Sequence, residues 1–272
     1  MMTTKAAIII PARYGSTRFP GKPLAMLGGK PMIEWVVTHA LRAAEMVSEK
    51  IETFVGVATD DDRIEAACKS LGIPVAKTPS DLKTGTDRSY AALDVFNIQP
   101  DIILSLQGDS PLTPPELIAQ LLMSMLESPK REVATPVVQL SWEALDNLRR
   151  AKEDSPFSGT TCIRDQSGRA LWFSKNIIPL IRGEETLRTT TALSPVLRHL
   201  GLYAFHIEAL RKFVSLPESH YEKTEGLEQL RLLENGISIH AELVASEALP
   251  PLPGIDTSED LARAELYLKE KR

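Results

Sequence analysis

The amino-acid sequence predicts an α/β protein with a mostly parallel, mixed sheet flanked by helices. Three observations predict it. Apolar runs rich in β-branched residues alternate with stretches of helical periodicity through residues 1–140. Polar and charged residues cluster directly after several of these runs, where open parallel sheets bind ligands. The 272 residues, 43% hydrophobic and 25% charged, suffice for a packed core, in one large domain or two small ones.

The elements follow in order. Lys5–Ile10 is a short apolar run that stops at Pro11, as a buried parallel strand does. Pro11–Pro23 carries two glycines, three prolines and three cations, and reads as a loop. Met32–Ala44 places Ile33, Val36, Val37, Ala40 and Leu41 on one helical face. Thr53–Ala58 is a strand followed by Asp60, and Asp62–Leu71 a helix closed by Gly72. Pro74–Ala76 is a strand, Thr84–Arg88 a polar loop and Ser89–Phe96 a helix. Asp101–Leu106 is a strand ending at Gln107-Gly108-Asp109. Pro114–Leu126 is a helix with proline at its start, and Glu132–Val138 a strand. The second half is less regular. Ala170–Ser174, His199–His206 and Ile237–Leu243 read as strands, and Ile207–Val214, Glu225–Glu234 and Ser258–Lys269 as helices. Ser258 is the expected cap of the last helix.

Composition narrows function. With 31 Lys and Arg against 36 Asp and Glu, the formal charge is -5, which disfavours sequence-independent nucleic-acid binding. Cys68 and Cys162 are distant and form no CxxC, so each is expected to be a small buried hydrophobe. No secretory signal pattern is seen, and no run approaches the ~20 apolar residues of a membrane span, so a cytoplasmic protein without a membrane partner is expected.

Arg13, Ser16, Arg18 and Lys22 share one strand-to-helix loop with two glycines. Glycines let backbone N–H groups approach an anion, and the cations pair with phosphate oxygens. Lys22 would also stabilise charge on a leaving pyrophosphate. The loop is neither GxxxxGK[ST] nor GxGxxG, which disfavours a Walker-type ATPase and a nicotinamide dehydrogenase. It is also not the GxGxR loop expected of a sugar-1-phosphate nucleotidyltransferase. Asp109 follows an apolar strand, a standard place for a Mg²⁺ ligand, and Asp256 is a candidate second carboxylate. A turn-forming role for Asp109 and a helix-capping role for Asp256 are the structural alternatives. No HExxH or GxSxG occurs, so activation by metal and positioning would have to suffice. His199 lies beside Arg198 at a strand start, with Tyr203 expected two pleats on and facing the same side.

The motifs PARYGSTRFPGKPL, TGTDR, LQGD, FSK, RHLGLYAF, EGLEQLR and GIDTSEDL occur in the order found in the 3-deoxy-manno-octulosonate cytidylyltransferase family, which the chain resembles from Ile8 to Leu266. The resemblance implies a single nucleotide-diphospho-sugar transferase-like, Rossmann-like domain over 1–272. Residues 1–140 would bind nucleotide, and 141–272 would bind the sugar acid and carry a dimerisation extension. It implies transfer of CMP from CTP to the anomeric hydroxyl of a 2-keto sugar acid, with Mg²⁺, in a cytoplasmic homodimer that feeds lipopolysaccharide or capsule synthesis. By the same resemblance Arg13, Ser16, Arg18, Lys22, Thr86, Asp87, Arg88 and Gln107 bind substrate, with Arg13, Lys22 and Asp109 catalytic. Asp109 and Asp256 hold the metal. His199, Tyr203, Glu225, Glu228 and Gln229 match the sugar-acid region. The family's usual QGDEP is QGDSP here, with Ser110, its FSR is FSK, with Lys175, which loses a bidentate fork, and its usual Asn-Val-Val-Lys-Val strand before FSR is Gly159-Thr160-Thr161-Cys162-Ile163. A cytidylyltransferase for another acidic sugar, or an inactive relative, is the alternative reading.

Overall fold

A computed structural model describes residues 3–15, 19–246, 254, 255 and 257–270. The strands are β1 (Thr4–Ala12), β2 (Met26–Leu27), β3 (Lys30–Pro31), β4 (Ile51–Thr59), β5 (Val75–Lys77), β6 (Ile102–Ser105), β7 (Val133–Ser141), β8 (Thr160–Arg164), β9 (Ala170–Ser174), β10 (Leu193–His199), β11 (Tyr203–His206) and β12 (Ile239–Val244). The helices are α1 (Met32–Met46), α2 (Asp62–Ser70), α3 (Gly85–Phe96), α4 (Pro115–Glu127), α5 (Trp142–Asp154), α6 (Glu184–Thr190), α7 (Ile207–Ser215), α8 (His220–Glu225), α9 (Gln229–Glu234) and α10 (Ser258–Glu270).

Among the described residues ten strands form one sheet, and β2 and β3 form a separate hairpin. The order β5–β4–β1–β6 is parallel throughout. The central strand β1 is buried from Ala6 to Ala12, as a strand between two helical layers must be. Its pleat sorts the core. Ala6, Ile8 and Ile10 join Ile33 and Val36 of α1 and Ile118 and Leu121 of α4. Ala7 and Ile9 join Ala92 and Leu93 of α3 and Leu210 and Phe213 of α7. Beyond β6 the sheet turns antiparallel through β11, β7, β10, β8 and β9, while β12 runs parallel along the other side of β7. α10 returns to the start of the chain, where Glu265 accepts from Gly28 N at 2.6 Å.

Several expectations are corrected. His199–His206 is two strands, because β10 pairs with β8 and β7 while β11 inserts between β6 and β7. Glu225–Glu234 is two helices, because Gly226 at φ 64 terminates α8 in a left-handed cap. Residues 85–88 form the first turn of α3 rather than a loop; Thr84 and Asp87 close a capping box there. Thr257, not Ser258, caps α10, its Oγ1 accepting from Asp260 N at 3.1 Å. Cys68 and Cys162 are buried and unpaired with each other, and burial pushes their thiols up to about 11 and about 12.

Candidate active site

β1 and β6 are parallel neighbours, so the loops leaving their carboxyl ends lie side by side. Gly108 N donates to Pro11 O at 3.2 Å. A Cβ at position 108 would stand 3.0 Å from that carbonyl, so any side chain there would crowd this approach. Across the contact, Lys22 Nζ pairs with Asp109 Oδ2 at 2.6 Å, and Lys22 is only 7% exposed. Lys22 is set by Gly21, which at φ 71 donates to Tyr14 O and packs against the Tyr14 ring. Arg13 Nη2 donates to Leu82 O and so ties this loop to the segment before α3. The result is a cleft of about 260 Å³ lined by Arg13, Lys22, Lys83, Gln107 and Asp109, among others. Three cations around a small polar cleft suit a polyphosphate. Ser16, Arg18 and Asp256 lie outside the described residues. Ile255 N donates to Asp109 O at 3.0 Å, so the GIDTSEDL segment approaches QGDS.

A second cavity, of about 1010 Å³, adjoins the first and shares Gln107 and Asp109 with it. Its walls include Lys175, Arg198, His199, Tyr203, Glu228 and Gln229. Three of these end in enclosed polar atoms without a hydrogen-bond partner among the described residues: Tyr203 Oη, Glu228 Oε2 and Gln229 Nε2. Buried polar atoms are ordinarily paired, so three unpaired ones on residues that line one cavity make it the candidate site for a polar ligand. His199 stacks between Phe173 and Tyr203 at 5.0 and 5.3 Å. Burial, aided by the charge of Lys175, pushes its imidazole down to about 3, so the ring is neutral at physiological pH. Burial also raises the Glu228 carboxyl above its ordinary range and the Tyr203 hydroxyl well above its own. Thr86 donates to Glu228 Oε1 at 2.9 Å, joining the start of α3 to the sugar-side motif.

Other expected site residues are placed differently. Asp87 accepts from Thr84 N and Oγ1 in the α3 cap. Arg88 is 0% exposed, lies 3.3 Å from Asp60 as an ion pair and donates to Thr78 Oγ1 at 2.5 Å. Both Glu225 oxygens are engaged, one by Ser174 Oγ at 2.9 Å and the other by Lys175 N at 2.8 Å. Lys152 Nζ donates to Lys175 O at 2.5 Å. Glu225 and Lys152 thus fix the backbone that carries Lys175 into the cavity. Sequence reasoning overlooked Lys83 and Thr135. Lys83 stands directly before TGTDR, and a cation adjoining a substrate motif was the available signal. Thr135 lies within an apolar strand and gave none.

The geometry can be compared with known proteins. The family model described as Cytidylyltransferase matches residues 7–239. A 3-deoxy-manno-octulosonate cytidylyltransferase of Maricaulis maris (strain MCS10) is 38% identical over 259 residues, covering 94% of each chain. The same-named protein of Phocaeicola vulgatus is 39% identical over 270 residues, covering 97% of each. A solved CMP:2-keto-3-deoxy-manno-octonic acid synthetase complexed with CTP superposes with TM-score 0.83 at 36% identity, covering 99% of this chain and 100% of its own. A Leptospira borgpetersenii cytidylyltransferase, 18% identical with TM-score 0.57 and covering 98% of this chain and 87% of its own, shares the fold.

Proposed function

This chain belongs to the family of 3-deoxy-manno-octulosonate cytidylyltransferases, and from that premise we propose how its two cavities divide the reaction. It is a CTP-dependent enzyme that joins CMP to 2-keto-3-deoxy-manno-octonic acid and releases pyrophosphate. One observation carries the assignment: a small cation-lined cleft and a large cavity with unpaired polar atoms meet at Gln107 and Asp109. The triphosphate would occupy the first and the sugar acid the second.

The anomeric hydroxyl oxygen of the acid attacks the α-phosphorus of CTP. The new oxygen–phosphorus bond forms as the bond to the β-phosphate bridging oxygen breaks, the hydroxyl proton passes to water, and pyrophosphate carries away the leaving charge. Arg13, Lys22 and Lys83 neutralise the triphosphate, and Lys22 stabilises the departing pyrophosphate. Tyr203, His199, Glu228 and Gln229 orient the sugar so that its hydroxyl faces the phosphorus, which supplies much of the rate through positioning. A divalent cation fits the donors at the junction. Asp109 offers carboxylate oxygen at the triphosphate end, and magnesium accepts one or two carboxylates together with phosphate oxygens. Asp109, with Asp256 by resemblance, would hold Mg²⁺, which when bound adds charge neutralisation on the phosphates. In the free protein Lys22 balances Asp109 instead.

We place the enzyme in the cytoplasm, where CTP is available, supplying an activated sugar for lipopolysaccharide or capsule synthesis. No helix among the described residues is long and apolar enough to cross a membrane. A homodimer is the assembly that the resemblance implies. A different acidic sugar is the second reading, favoured by Ser110 and Lys175, both of which line the large cavity. Pyrophosphate release from CTP and Mg²⁺ with a panel of sugar acids tests both. Release is expected with 3-deoxy-manno-octulosonate. Release with no acid overturns the enzyme, and release only with another acid overturns the substrate.

A further inference from the structure

Thr135, on β7, is fully buried at 0% exposure, and its hydroxyl has one proton to give. Oγ1 lies 2.7 Å from Leu202 O. A carbonyl cannot donate, so that contact takes the Thr135 proton. Oγ1 also lies 2.9 Å from His199 Nε2. With the hydroxyl proton already committed, this second contact requires an Nε2–H that donates to Oγ1. The ring is neutral, since burial holds it far below its ordinary value, and a neutral imidazole carries one N–H. Nδ1 is therefore a bare lone pair. No described residue bonds to it, and the ring lines the 1010 Å³ cavity.

We infer that Thr135 is a positioning residue: it holds His199 in the Nε2–H tautomer, so that Nδ1 accepts a hydrogen bond from a hydroxyl of the bound sugar acid. The inference rests on the assignment of the large cavity to that substrate. It gives His199 a defined part in selectivity. A ligand that offers a hydroxyl to Nδ1 is bound. One that offers a carboxylate, a carbonyl or an ether oxygen there meets lone pair against lone pair and is rejected. The substrate carboxylate consequently belongs elsewhere in the cavity, towards the cations Lys175 and Arg198 that share its wall.

Three proteins test it: the full wild-type chain, Thr135→Val, which keeps the shape and removes Oγ1, and Thr135→Ser, which restores it. Long-range ¹H–¹⁵N spectra of the histidine rings, with His199 assigned by the signal lost in His199→Gln, report the tautomer without any substrate. The wild type and Thr135→Ser should show Nε2–H, and Thr135→Val should show Nδ1–H or a mixture. Kinetically, Thr135→Val should raise KM for the sugar acid about two- to ten-fold, the worth of one neutral hydrogen bond, with KM for CTP unchanged. Thr135→Ser should recover the wild-type value. Nδ1–H or imidazolium in the wild type overturns the inference, as does a Thr135→Val protein with unaltered tautomer and unaltered KM. If Thr135→Val fails to fold, Thr135→Ala, which also lacks Oγ1, takes its place with the same expected and overturning results. A wild type that consumes no sugar acid defeats the substrate assignment, while the tautomer spectrum still judges the role of Thr135.

Discussion

Replacing Tyr203 by phenylalanine should make the free protein more stable and the enzyme worse at holding its sugar acid. Tyr203 is 4% exposed, with its ring 5.3 Å from His199 and 6.0 Å from Phe205. Phenylalanine keeps those ring contacts and deletes only Oη. That oxygen is enclosed and finds no partner among the described residues, and burial keeps the hydroxyl protonated. An unsatisfied buried hydroxyl costs about 1–3 kcal/mol. Its removal should therefore raise unfolding free energy by about 1 kcal/mol, equivalent to ~2–4 °C in Tm for a chain of this size. In the complex the same hydroxyl would bond to a sugar oxygen. Losing a neutral hydrogen bond worth about 0.5–1.5 kcal/mol raises KM two- to ten-fold, at ~1.4 kcal/mol per decade. Urea or thermal melts of the substrate-free protein give the first quantity, and pyrophosphate release at saturating CTP gives the second. The opposite signs are the test. A Tyr203→Phe protein that is less stable, with KM unchanged, would show that the hydroxyl serves the fold and would refute the reading of the cavity.

Two other changes probe the junction and the floor of the cavity. Asp109→Asn keeps the side-chain shape but removes the charge that faces Lys22 at 2.6 Å. Turnover should fall by about 10²-fold or more while circular dichroism stays native, and near-normal turnover would dismiss the metal-holding role. Burial lifts the folded Glu228 carboxyl above the ordinary glutamate value of about 4.3. As pH rises from that value towards the higher folded pKa, the unfolded chain gives up the proton before the folded chain does, so the wild type loses stability across this window. Glu228→Gln should remove this contribution to the slope and gain on the wild type as pH rises. Parallel curves for the two proteins would mean that the carboxyl is not desolvated.

The parallel half of the fold was legible because its signals are local. β1, β4 and β6 are β-branched runs that end in polar motifs, and α1 and α4 show an unbroken apolar stripe. The second half was read less well because its pairing is set over long distances. No local feature of RHLGLYAF says that β10 leaves towards β8 while β11 enters between β6 and β7. α5 escaped notice although Ser141 caps it, with Oγ accepting from Ala144 N at 3.1 Å. The polar chain after Trp142 outweighed the weak apolar period of Leu145 and Leu148. Among site residues, a charged side chain beside a strand end declared itself, as Lys22 and Asp109 did. A residue that acts through another could not. Arg88 reads as a substrate cation in TGTDR, yet it turns inward to Asp60. Thr135 reads as core, yet it touches His199.

The distribution of family-typical and divergent residues follows from the same chemistry. A triphosphate end would have to neutralise a fixed polyanion, and Arg13, Lys22, Gln107 and Asp109, which line the small cleft, come from motifs that keep the family pattern. The departures from the family pattern at Ser110, Lys175, Gly159 and Thr160 fall in the walls of the large cavity, where the proposed partner is a sugar whose substituents can vary. Lys175 is constrained at its root and variable at its tip. Glu225 holds its backbone N–H and Lys152 holds its carbonyl, so the direction in which the side chain leaves the strand is set by residues outside the substitution. Lysine in place of arginine then changes only the cationic head, from a planar five-donor fork to a compact ammonium with three donors. A point charge still attracts a carboxylate but does not fix its plane. Orientation of the acid would then fall to the Arg198 guanidinium and to His199 and Tyr203, which share the cavity wall, and discrimination between acidic sugars should be lost at those residues before it is lost at Lys175.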